Sequence, residues 1–292
     1  MATIGLVTVL YKSDNVLDDF VKSISIQTYG DYVLYLIDNS ANDATDALIR
    51  RLTLAYPVSQ CQHIKSPGNI GVAAGNNVGI KKAIDDNCTY VLLLNNDIVI
   101  ERDDVFEKMM GLAPKENIIT PKILNYDTKK IWTAGGYMDK LRGLGVAYGM
   151  NKNDGRKYNV SKYVTSESTC FMLINVTVFA SAGLMDENYF IYVDDTDFVF
   201  RATQKGYKVL YAPSIVILHK VSNSTGGTQT PLYIYYSNRN KIYFIRKNFK
   251  GVSRFISLSY VLFSRVYFYF KFNKEKKQML VHAVKDGLRL KY

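Results

Sequence analysis

Cysteines and long apolar runs are scarce in this sequence. Its 292 residues include three cysteines, an odd number at spacings that match no metal-binding motif: Cys61, Cys88 and Cys170. We therefore expect a reduced, cytosolic chain without disulfides. No stretch reaches the roughly 18 uncharged apolar residues of a membrane-spanning helix, since Arg265 interrupts the longest candidate, residues 255–270. The apolar segment Ile4–Leu10 lacks a basic flank and a cleavage site, which predicts a strand rather than a signal peptide.

Composition and charge narrow the class of protein further. Hydrophobic residues make up 48% of the chain and charged residues 22%, which excludes a disordered tail. The formal net charge is +11, but residues 237–292 alone hold 14 lysines or arginines and two acids, a net of +12. A neutral body with a strongly basic tail indicates an anionic partner: nucleic acid, anionic lipid or a phosphorylated substrate.

Strand and helix patterns alternate over the first 125 residues. Short apolar runs that end in polar residues predict strands at 4–10, 33–37 and 90–94. Helical patterns lie between them, and Asp43 is a candidate cap for the second. Near-continuous apolar strands joined by helices predict an α/β fold, with a mostly parallel central sheet flanked by helices.

The pattern is less regular after this region. It is weak over residues 121–164, and it then predicts a strand at 170–174 and a helix over Val176–Ala182. Two separate strands are predicted at 209–211 and 215–218. From Pro231 onward the chain is aromatic, basic and helical in pattern.

Polar side chains follow the predicted strands. Ligands of open α/β sheets bind outside the carboxyl ends of the strands, where Tyr11-Lys-Ser-Asp, Asp38-Asn-Ser and Asn95-Asn-Asp lie. The Asp38 segment is also consistent with a turn and a helix cap. Asp97 follows an apolar run, and a carboxylate held there suits Mg²⁺ or Mn²⁺ when substrate phosphates supply further ligands.

Glycines 71, 75 and 79 recur every four residues. On a helix they share one face, which favours close packing of that helix. The segment does not follow the first strand, as a dinucleotide-binding fingerprint requires, so a Rossmann dehydrogenase is disfavoured. Asn69 and Asn77 are candidate polar contacts to a nucleotide.

Three acids crowd the start of a predicted helix. Asp194, Asp195 and Asp197 repel one another, which a fold tolerates where a helix N-terminus or a cation offsets the charge and keeps the acids ionised. One acid can cap the helix while another acts as a general base, or the group is a cap alone. His219 follows an apolar run and by itself favours a structural role, but with Asp97 it is a candidate second metal ligand.

These segments, in this order, resemble family 2 glycosyltransferases of the GT-A fold, most closely their rhamnosyltransferase-like bacterial branch. The resemblance covers about the first 250 residues and rests on nine motifs: Val7-Thr-Val-Leu-Tyr, Ile37-Asp-Asn-Ser, Asn69-x-Gly-x-Ala-x-Gly-x-Asn-x-Gly, Leu93-Leu-Asn-Asn-Asp, Trp132-x-Ala-Gly-Gly, Gly183-Leu-Met-Asp-Glu, Tyr192-Val-Asp-Asp-Thr-Asp, the His219 segment and Tyr235-Tyr-x-x-Arg-Asn. It implies a GT-A domain over 1–230, with a nucleotide-sugar half to about 125 and an acceptor half over 126–230. A helical, basic and aromatic region over 231–292 follows.

The resemblance implies an inverting transfer of a sugar, with rhamnosyl as the first candidate, from a dTDP- or UDP-sugar to a hydroxyl of a growing cell-surface glycan. Asp195 matches the base that takes the acceptor proton, with Asp194 and Asp197 in support. Mg²⁺ or Mn²⁺ is expected on Asp97, and on His219 because Asn95 stands where an acid is common. The implied nucleotide contacts are Thr8, Asp38, Asn69, Asn77, Asn95 and Asn96.

The basic tail favours an anionic membrane surface. Its aromatic run, 255–270, is flanked by lysines and arginines, which is typical of a segment lying at a membrane; a core helix or a homo-oligomer contact is the alternative. No nucleic-acid-binding motif is present, so we expect a lipid-linked acceptor and a peripheral location at the inner face of the cell membrane. Two functions compete: a degenerate glycosyltransferase that binds glycan or membrane, and a sugar-nucleotide pyrophosphorylase.

Overall fold

The computed structural model describes residues 3–40, 42–220 and 230–292. The strands are β1 (Ile4–Leu10), β2 (Tyr32–Asp38), β3 (Cys61–Lys65), β4 (Tyr90–Leu94), β5 (Ile98–Val99), β6 (Ile118–Asn125), β7 (Ile131–Thr133), β8 (Gly136–Asp139), β9 (Leu144–Ala147), β10 (Lys162–Val164), β11 (Phe171–Asn175) and β12 (Val209–His219). The helices are α1 (Asp14–Ser25), α2 (Asp43–Ala55), α3 (Val72–Asp85), α4 (Val105–Leu112), α5 (Val176–Ala182), α6 (Asp194–Gln204), α7 (Pro231–Asn248), α8 (Gly251–Lys271) and α9 (Lys274–Arg289), with a short 3-10 helix at Arg156–Tyr158.

One sheet of ten strands organises the molecule. Its main order is β10-β12-β6-β11-β4-β1-β2-β3, and β5 and β7 pair with β12 and β6. Strands β4, β1, β2 and β3 are parallel. One face of the sheet packs against α3, α5, α6 and α7, and the other against α1, α2 and α4. Helices on both faces explain why β1, β2 and β4 read as continuous apolar runs, and the predicted α/β class is confirmed.

The sheet beyond β4 is mixed. Strand β11 runs antiparallel between β4 and β6, whereas β12 is parallel to β6. The two strands predicted at 209–211 and 215–218 form one strand, β12, with an irregularity between Ala212 and Val216. Pro213 lies in that break, because proline cannot donate a hydrogen bond to the ladder. The weak pattern over 121–164 covers four strands, β7 to β10, of only three or four residues each.

The start of α2 differs from the sequence expectation. Asn42, not Asp43, caps this helix, since the Asn42 side chain accepts a hydrogen bond from Thr45 N at 2.9 Å. Asp43 is instead the first helical residue, where its negative charge complements the helix dipole.

The glycines of α3 allow close contact with β1. Gly71 is the residue before the helix, with a φ of 87° that favours glycine, so it does not share the helical face. Gly75 and Gly79 do: a methyl group on Gly75 would lie 2.8 Å from Val9 Cγ2, and one on Gly79 would overlap Val7. The predicted close packing of this helix is confirmed for these two residues.

The last three helices form a layer of their own on the α6 side of the sheet. Helix α7 buries Ile242, Phe244 and Ile245 in the same core as α6, and α9 packs along α7. Helix α8 leaves most of its apolar side chains in solvent; Phe263 is 79% exposed and Phe270 is 75% exposed. None of the helices in the described ranges combines the length and hydropathy of a membrane span.

Candidate active site

A cleft of about 900 Å³ opens at the carboxyl ends of β1 and β4. Four of the eleven predicted site residues do not line it: Thr8, Asp38, Asn77 and Asp197. The other seven line it: Asn69, Asn95, Asn96, Asp97, Asp194, Asp195 and His219. The topology therefore brings segments that are far apart in sequence to one edge of the sheet, as expected for ligand sites of α/β folds.

The segment after β4 connects neighbouring strands and presents the Asn95 side chain to the cleft. The backbone N–H of Asn95 donates to the Cys170 carbonyl at 2.9 Å. Asn96 Nδ2 donates to the Val9 carbonyl at 2.8 Å and to Ser13 Oγ at 3.1 Å. Asn96 thus holds the end of β1 in place, while the Asn95 side chain is exposed in the cleft.

Asp97 and His219 meet in the cleft although 122 positions separate them. Strand β5 directly follows Asp97, and its Ile98 pairs with His219 at the end of β12. Asp97 Oδ1 and His219 Nε2 are 3.0 Å apart, and both side chains are largely buried. The Trp132 ring packs edge-on against the imidazole, with ring centroids 4.6 Å apart.

This pair could hold a divalent cation. Asp97 Oδ1 and His219 Nε2 are hydrogen-bonded to each other at 3.0 Å, and a carboxylate and an imidazole are both ligands of divalent ions once the imidazole has lost its proton. Two protein ligands leave the remaining positions for phosphate oxygens and water, the arrangement usual for Mg²⁺ at nucleotide sites.

A second group of potential metal ligands lies at the ends of β2 and β3. His63 Nε2 is 3.3 Å from Asp38 Oδ2, and His63 Nδ1 is 3.1 Å from Asp46 Oδ1. The Lys65 ammonium also pairs with Asp46. Because that ammonium already neutralises Asp46, and because none of these side chains lines the cleft, we do not assign the ion to this group.

The acids at the start of α6 occupy different surroundings. Asp194 and Asp195 line the cleft, and Asp195 Oδ1 accepts a hydrogen bond from Thr196 N at 2.6 Å. Burial raises the pKa of Asp195, and burial together with the neighbouring Asp195 charge raises the pKa of Asp194 to about 8. The expectation that the helix N-terminus keeps the acids ionised is wrong for Asp194, because desolvation and the neighbouring Asp195 charge outweigh the helix dipole there.

Asp197 faces away from the cleft and links α6 to α7. It is fully buried and accepts hydrogen bonds from Arg201 Nε and Asn248 Nδ2, each at 2.7 Å, with Lys247 Nζ at 3.0 Å. Two of these partners belong to α7. Its place in the structure is that of a buried, fully paired charge beneath the site.

Three of the predicted nucleotide contacts lie beneath the cleft wall. Asn77 donates to the Met185 carbonyl at 2.8 Å and to Glu187 Oε1 at 2.9 Å, and it accepts from Met185 N at 3.0 Å. Its amide is therefore fully used in joining α3 to the segment before α6, which corrects the nucleotide contact predicted for it. Thr8 and Asp38 are fully buried, so their predicted contacts gain no support from their position.

Two further residues line the cleft, and the sequence singled out the segment of only the first. Lys12, in the Tyr11-Lys-Ser-Asp cluster predicted after β1, has a φ of 50°, and its backbone N–H donates to Ser40 Oγ at 2.8 Å. The Glu167 carboxyl oxygens lie 2.9 and 3.0 Å from Thr133 Oγ1, and Ser168 N donates to Oε1 at 2.9 Å. Burial raises the pKa of Glu167 to about 7. The only sequence signal for Glu167 is a polar run directly before β11.

The large sheet with helices on both faces, and the cleft at its strand ends, have the architecture of GT-A glycosyltransferases. Solved structures agree in fold. S. aureus TarS 1–349 in complex with UDP-GlcNAc superposes with a TM-score of 0.65, at 13% identity, over 99% of this chain and 81% of that chain. Mannosyltransferase PcManGT from Pyrobaculum calidifontis, in complex with GDP-Man and Mn²⁺, gives 0.60 at 12% identity, over 99% and 76%.

Within this class the chain belongs to glycosyl transferase family 2, whose model matches residues 6–180. It is 24% identical over 243 residues to the low-salt glycan biosynthesis hexosyltransferase Agl10 of Haloferax volcanii, covering 82% of this chain and 74% of that protein. It is 24% identical over 208 residues to the dTDP-rhamnosyl transferase RfbF of Shigella flexneri, covering 68% and 67%. It is 25% identical over 246 residues to the N-acetylglucosaminyl-diphospho-decaprenol L-rhamnosyltransferase of Mycobacterium tuberculosis, covering 76% and 77%.

Proposed function

We propose that this glycosyltransferase is inverting and metal-dependent, and that it moves a sugar, rhamnosyl as the first candidate, from a dTDP- or UDP-sugar to a hydroxyl of a growing cell-surface glycan. One observation carries the proposal: Asp195 and the Asp97–His219 pair line one cleft but come from different segments. Inversion requires the base and the departing diphosphate on opposite sides of the anomeric carbon, which two separate segments can provide.

Asp195 acts as the general base. A sugar hydroxyl is a poor nucleophile, so its proton must be removed as the new bond forms. Burial raises the pKa of Asp195, which makes its carboxylate a stronger base than an exposed aspartate. Thr196 N fixes one carboxyl oxygen. Asp194, with a pKa of about 8, keeps its proton at neutral pH, so the pair carries a single negative charge.

Asp97 and His219 would hold Mg²⁺ or Mn²⁺, which when bound neutralises the departing diphosphate. Lys12 lines the same cleft, and we assign its ammonium to the diphosphate as well. Asn69 accepts a hydrogen bond from Gly71 N at 3.1 Å, which fixes the loop before α3. We assign this loop, together with Asn39 and Asp38 at the end of β2, to the nucleoside.

The acceptor side points to a lipid-linked glycan. The Mycobacterium tuberculosis relative is named for an acceptor joined to decaprenol through a diphosphate. In this chain, α8 exposes an apolar and aromatic face beside basic residues, the combination that binds anionic membrane surfaces. We therefore propose peripheral attachment to an anionic membrane through α8.

Replacing Asp97 tests the metal-dependent donor site. We expect Asp97→Ala to abolish Mn²⁺-dependent binding of UDP- and dTDP-sugars in calorimetry while the thermal melting curve stays cooperative. Asp46→Ala is the matched control, because Asp46 belongs to the other candidate metal group. If Asp97→Ala binds donor normally and Asp46→Ala does not, the ion belongs to Asp38, Asp46 and His63 instead.

A degenerate glycosyltransferase is the second candidate, favoured by one observation. Asn95 stands in the cleft where an acid is common in the family, so the ion has fewer charged ligands than usual. Hydrolysis of the donor sugar in Mn²⁺ separates the two: an active transferase releases free sugar slowly, whereas a binding protein does not. Membership of glycosyl transferase family 2 speaks against the pyrophosphorylase.

A further inference from the structure

Three cations gather where the β8–β9 hairpin meets the C-terminal helices: Arg142, Lys241 and Arg265. The tip of the hairpin is held against α8, since Ser257 Oγ donates to the Lys140 carbonyl at 2.5 Å. It also packs against α7: Gly143 lies so close to this helix that a methyl group added to it would be 3.8 Å from Lys241 Cγ. We call this group the cation cluster.

The cation cluster is short of negative charge. Within the described ranges, the carboxylate that interacts with it is Asp139, whose Oδ2 lies 4.0 Å from Arg142 Nε. Among the described residues, the only side-chain hydrogen bond from Arg265 goes to Ser264 Oγ, at 2.7 Å, and its buried Nε has no partner. Burial and the two nearby guanidinium groups lower the pKa of Lys241 to about 7. Positive charge that is removed from water without a counter-charge is costly, which applies to the partly buried Lys241 and Arg265 but not to Arg142, whose side chain is exposed. An anion bound beside Lys241 and Arg265 would relieve that cost.

The cluster lies close to the proposed active site. Strand β9 begins at Leu144, the residue after Gly143, and continues into the cleft wall, where Gly145 packs against Ser166 and lies near Thr196, the residue after Asp195. Two residues of extended chain span about 7 Å. On the other side, Arg265 interacts electrostatically with Tyr233, which also lines the cleft. Lys241 of the cluster therefore lies beside the start of a strand whose next residues form the cleft wall.

The cluster is also adjacent to an apolar surface. Arg265 belongs to α8, and the same helix exposes Phe263, Val266 and Phe270. A ligand that suits both features has a strongly anionic group attached to a long apolar chain, and it carries its sugar on the opposite side of that group.

We propose that Arg142, Lys241 and Arg265 bind the diphosphate of a lipid-linked acceptor, with its lipid lying along α8 and its sugar entering the cleft beside β9. This inference rests on the proposed function, because only a transferase requires an acceptor. A phospholipid headgroup shares the same phosphate chemistry, so the test must separate the two sources.

Farnesyl diphosphate is a suitable probe for the diphosphate and lipid together. We expect it to bind in EDTA, without donor, and to bind Lys241→Gln and Arg265→Gln at least tenfold more weakly, because each variant loses a charge-assisted contact. Lys274→Gln is the matched control: it removes one positive charge from an exposed position of α9 and should bind like the unchanged protein. Lys241→Arg keeps the charge and should retain binding. Melting temperatures of all four variants identify any that fail to fold.

Two further probes identify the source of the phosphate. Vesicles of phosphatidylglycerol should bind both glutamine variants about as well as Lys274→Gln. The assignment to an acceptor diphosphate is overturned if the glutamine variants lose vesicle binding but keep farnesyl diphosphate, or if inorganic pyrophosphate binds as tightly as farnesyl diphosphate. It is equally overturned if no variant changes any affinity. Binding of UDP with Mn²⁺, measured in parallel, reports on the donor site, so failure of the proposed function is recognised separately.

Discussion

The three acids of α6 should give three different mutant phenotypes, although they lie within four residues. Asp195→Asn keeps the size of the side chain but cannot accept a proton. We expect sugar transfer to fall by about 100-fold or more, the usual range for loss of a general base. Donor binding should be nearly unchanged, because the residues assigned to the donor lie at the ends of β1, β2 and β4.

Asp194→Asn should affect stability rather than transfer. The folded pKa of about 8 lies far above the ordinary value of 3.8, so between these pH values the folded chain holds a proton that the unfolded chain has lost. In the unchanged protein, the contribution of Asp194 to the free energy of unfolding is therefore largest at low pH and declines as the pH rises toward 8. The variant lacks this decline. The melting temperature of the variant minus that of the unchanged protein should therefore increase from pH 5 to pH 8.

Asp197→Asn should destabilise the fold at every pH near neutrality. The Asp197 carboxylate pairs with Arg201 and Lys247, and removing one member of a buried ion pair typically costs about 3–5 kcal/mol. Urea unfolding and a transfer assay on all three variants separate these effects. The assignment fails if Asp195→Asn retains near-native turnover while Asp194→Asn or a folded Asp197→Asn loses it.

Three other changes test the packing, the cleft and the surface. Gly79→Ala should lower the free energy of unfolding in urea by about 1–3 kcal/mol, because the new methyl group overlaps Val7. Gly111→Ala is the control: its methyl group meets nothing within 4 Å and should be neutral or stabilising. Equal effects of the two changes would refute the close-packing argument. Burial raises the pKa of Glu167 to about 7, so the unchanged protein should lose stability as the pH rises from 4.5 to about 7. Glu167→Gln should remove this loss. If the melting temperatures of the two proteins change with pH in parallel across this range, the prediction is contradicted. The double variant Phe263→Ser/Phe270→Ser should bind phosphatidylglycerol vesicles more weakly. Leu54→Ser, which changes another exposed apolar side chain, on α2, should not.

The surface test uses point variants because the structure excludes a simple truncation. Ending the chain near Lys250 would remove α9 together with α8. Leu280, Ala283 and Gly287 of α9 are buried, and Gly287 packs against Arg239 and Ile242 of α7. Loss of vesicle binding in such a truncation would therefore not distinguish a missing membrane contact from a disrupted α7.

The sequence predicts the parts of the site that follow strands. His219 comes directly after an apolar run and Asp97 three residues after one, and the rule that ligands gather at strand ends brings them together across 122 positions. Asn77 and Thr8 share the same polar character, but their roles depend on which way each side chain faces. Asn77 is directed away from the cleft by hydrogen bonds to the backbone of Met185. The residues around Asn77 in the sequence do not reveal this distant partner.

The same reason explains why the acids of α6 could not be separated by pattern. Asp197 is buried and paired because Lys247 and Asn248 reach it from α7, fifty positions later in the chain. Helical spacing alone gives the direction of each acid relative to its neighbours, but not the element that covers it. Burial also changes the sign of the pKa shift for Asp194 and Asp195, which the helix dipole alone would have lowered.

The basic tail illustrates how far net charge can be taken as evidence for a partner. Of its 14 lysines and arginines, several are used within the fold: Arg239 donates to the Asn188 carbonyl at 2.5 Å, Arg246 to the Gly287 and Leu290 carbonyls at 2.9 Å each, and Lys247 pairs with Asp186 at 2.7 Å. These contacts hold α7 against α9 and against the segment before α6, so they do not require an anionic partner. The charge available to an anionic partner is the remainder: the cation cluster, and exposed lysines that include Lys271 at the end of α8 and Lys274 and Lys285 of α9. A phosphorylated ligand is thus expected at the cation cluster beside the cleft, whereas the exposed lysines would meet an anionic membrane surface.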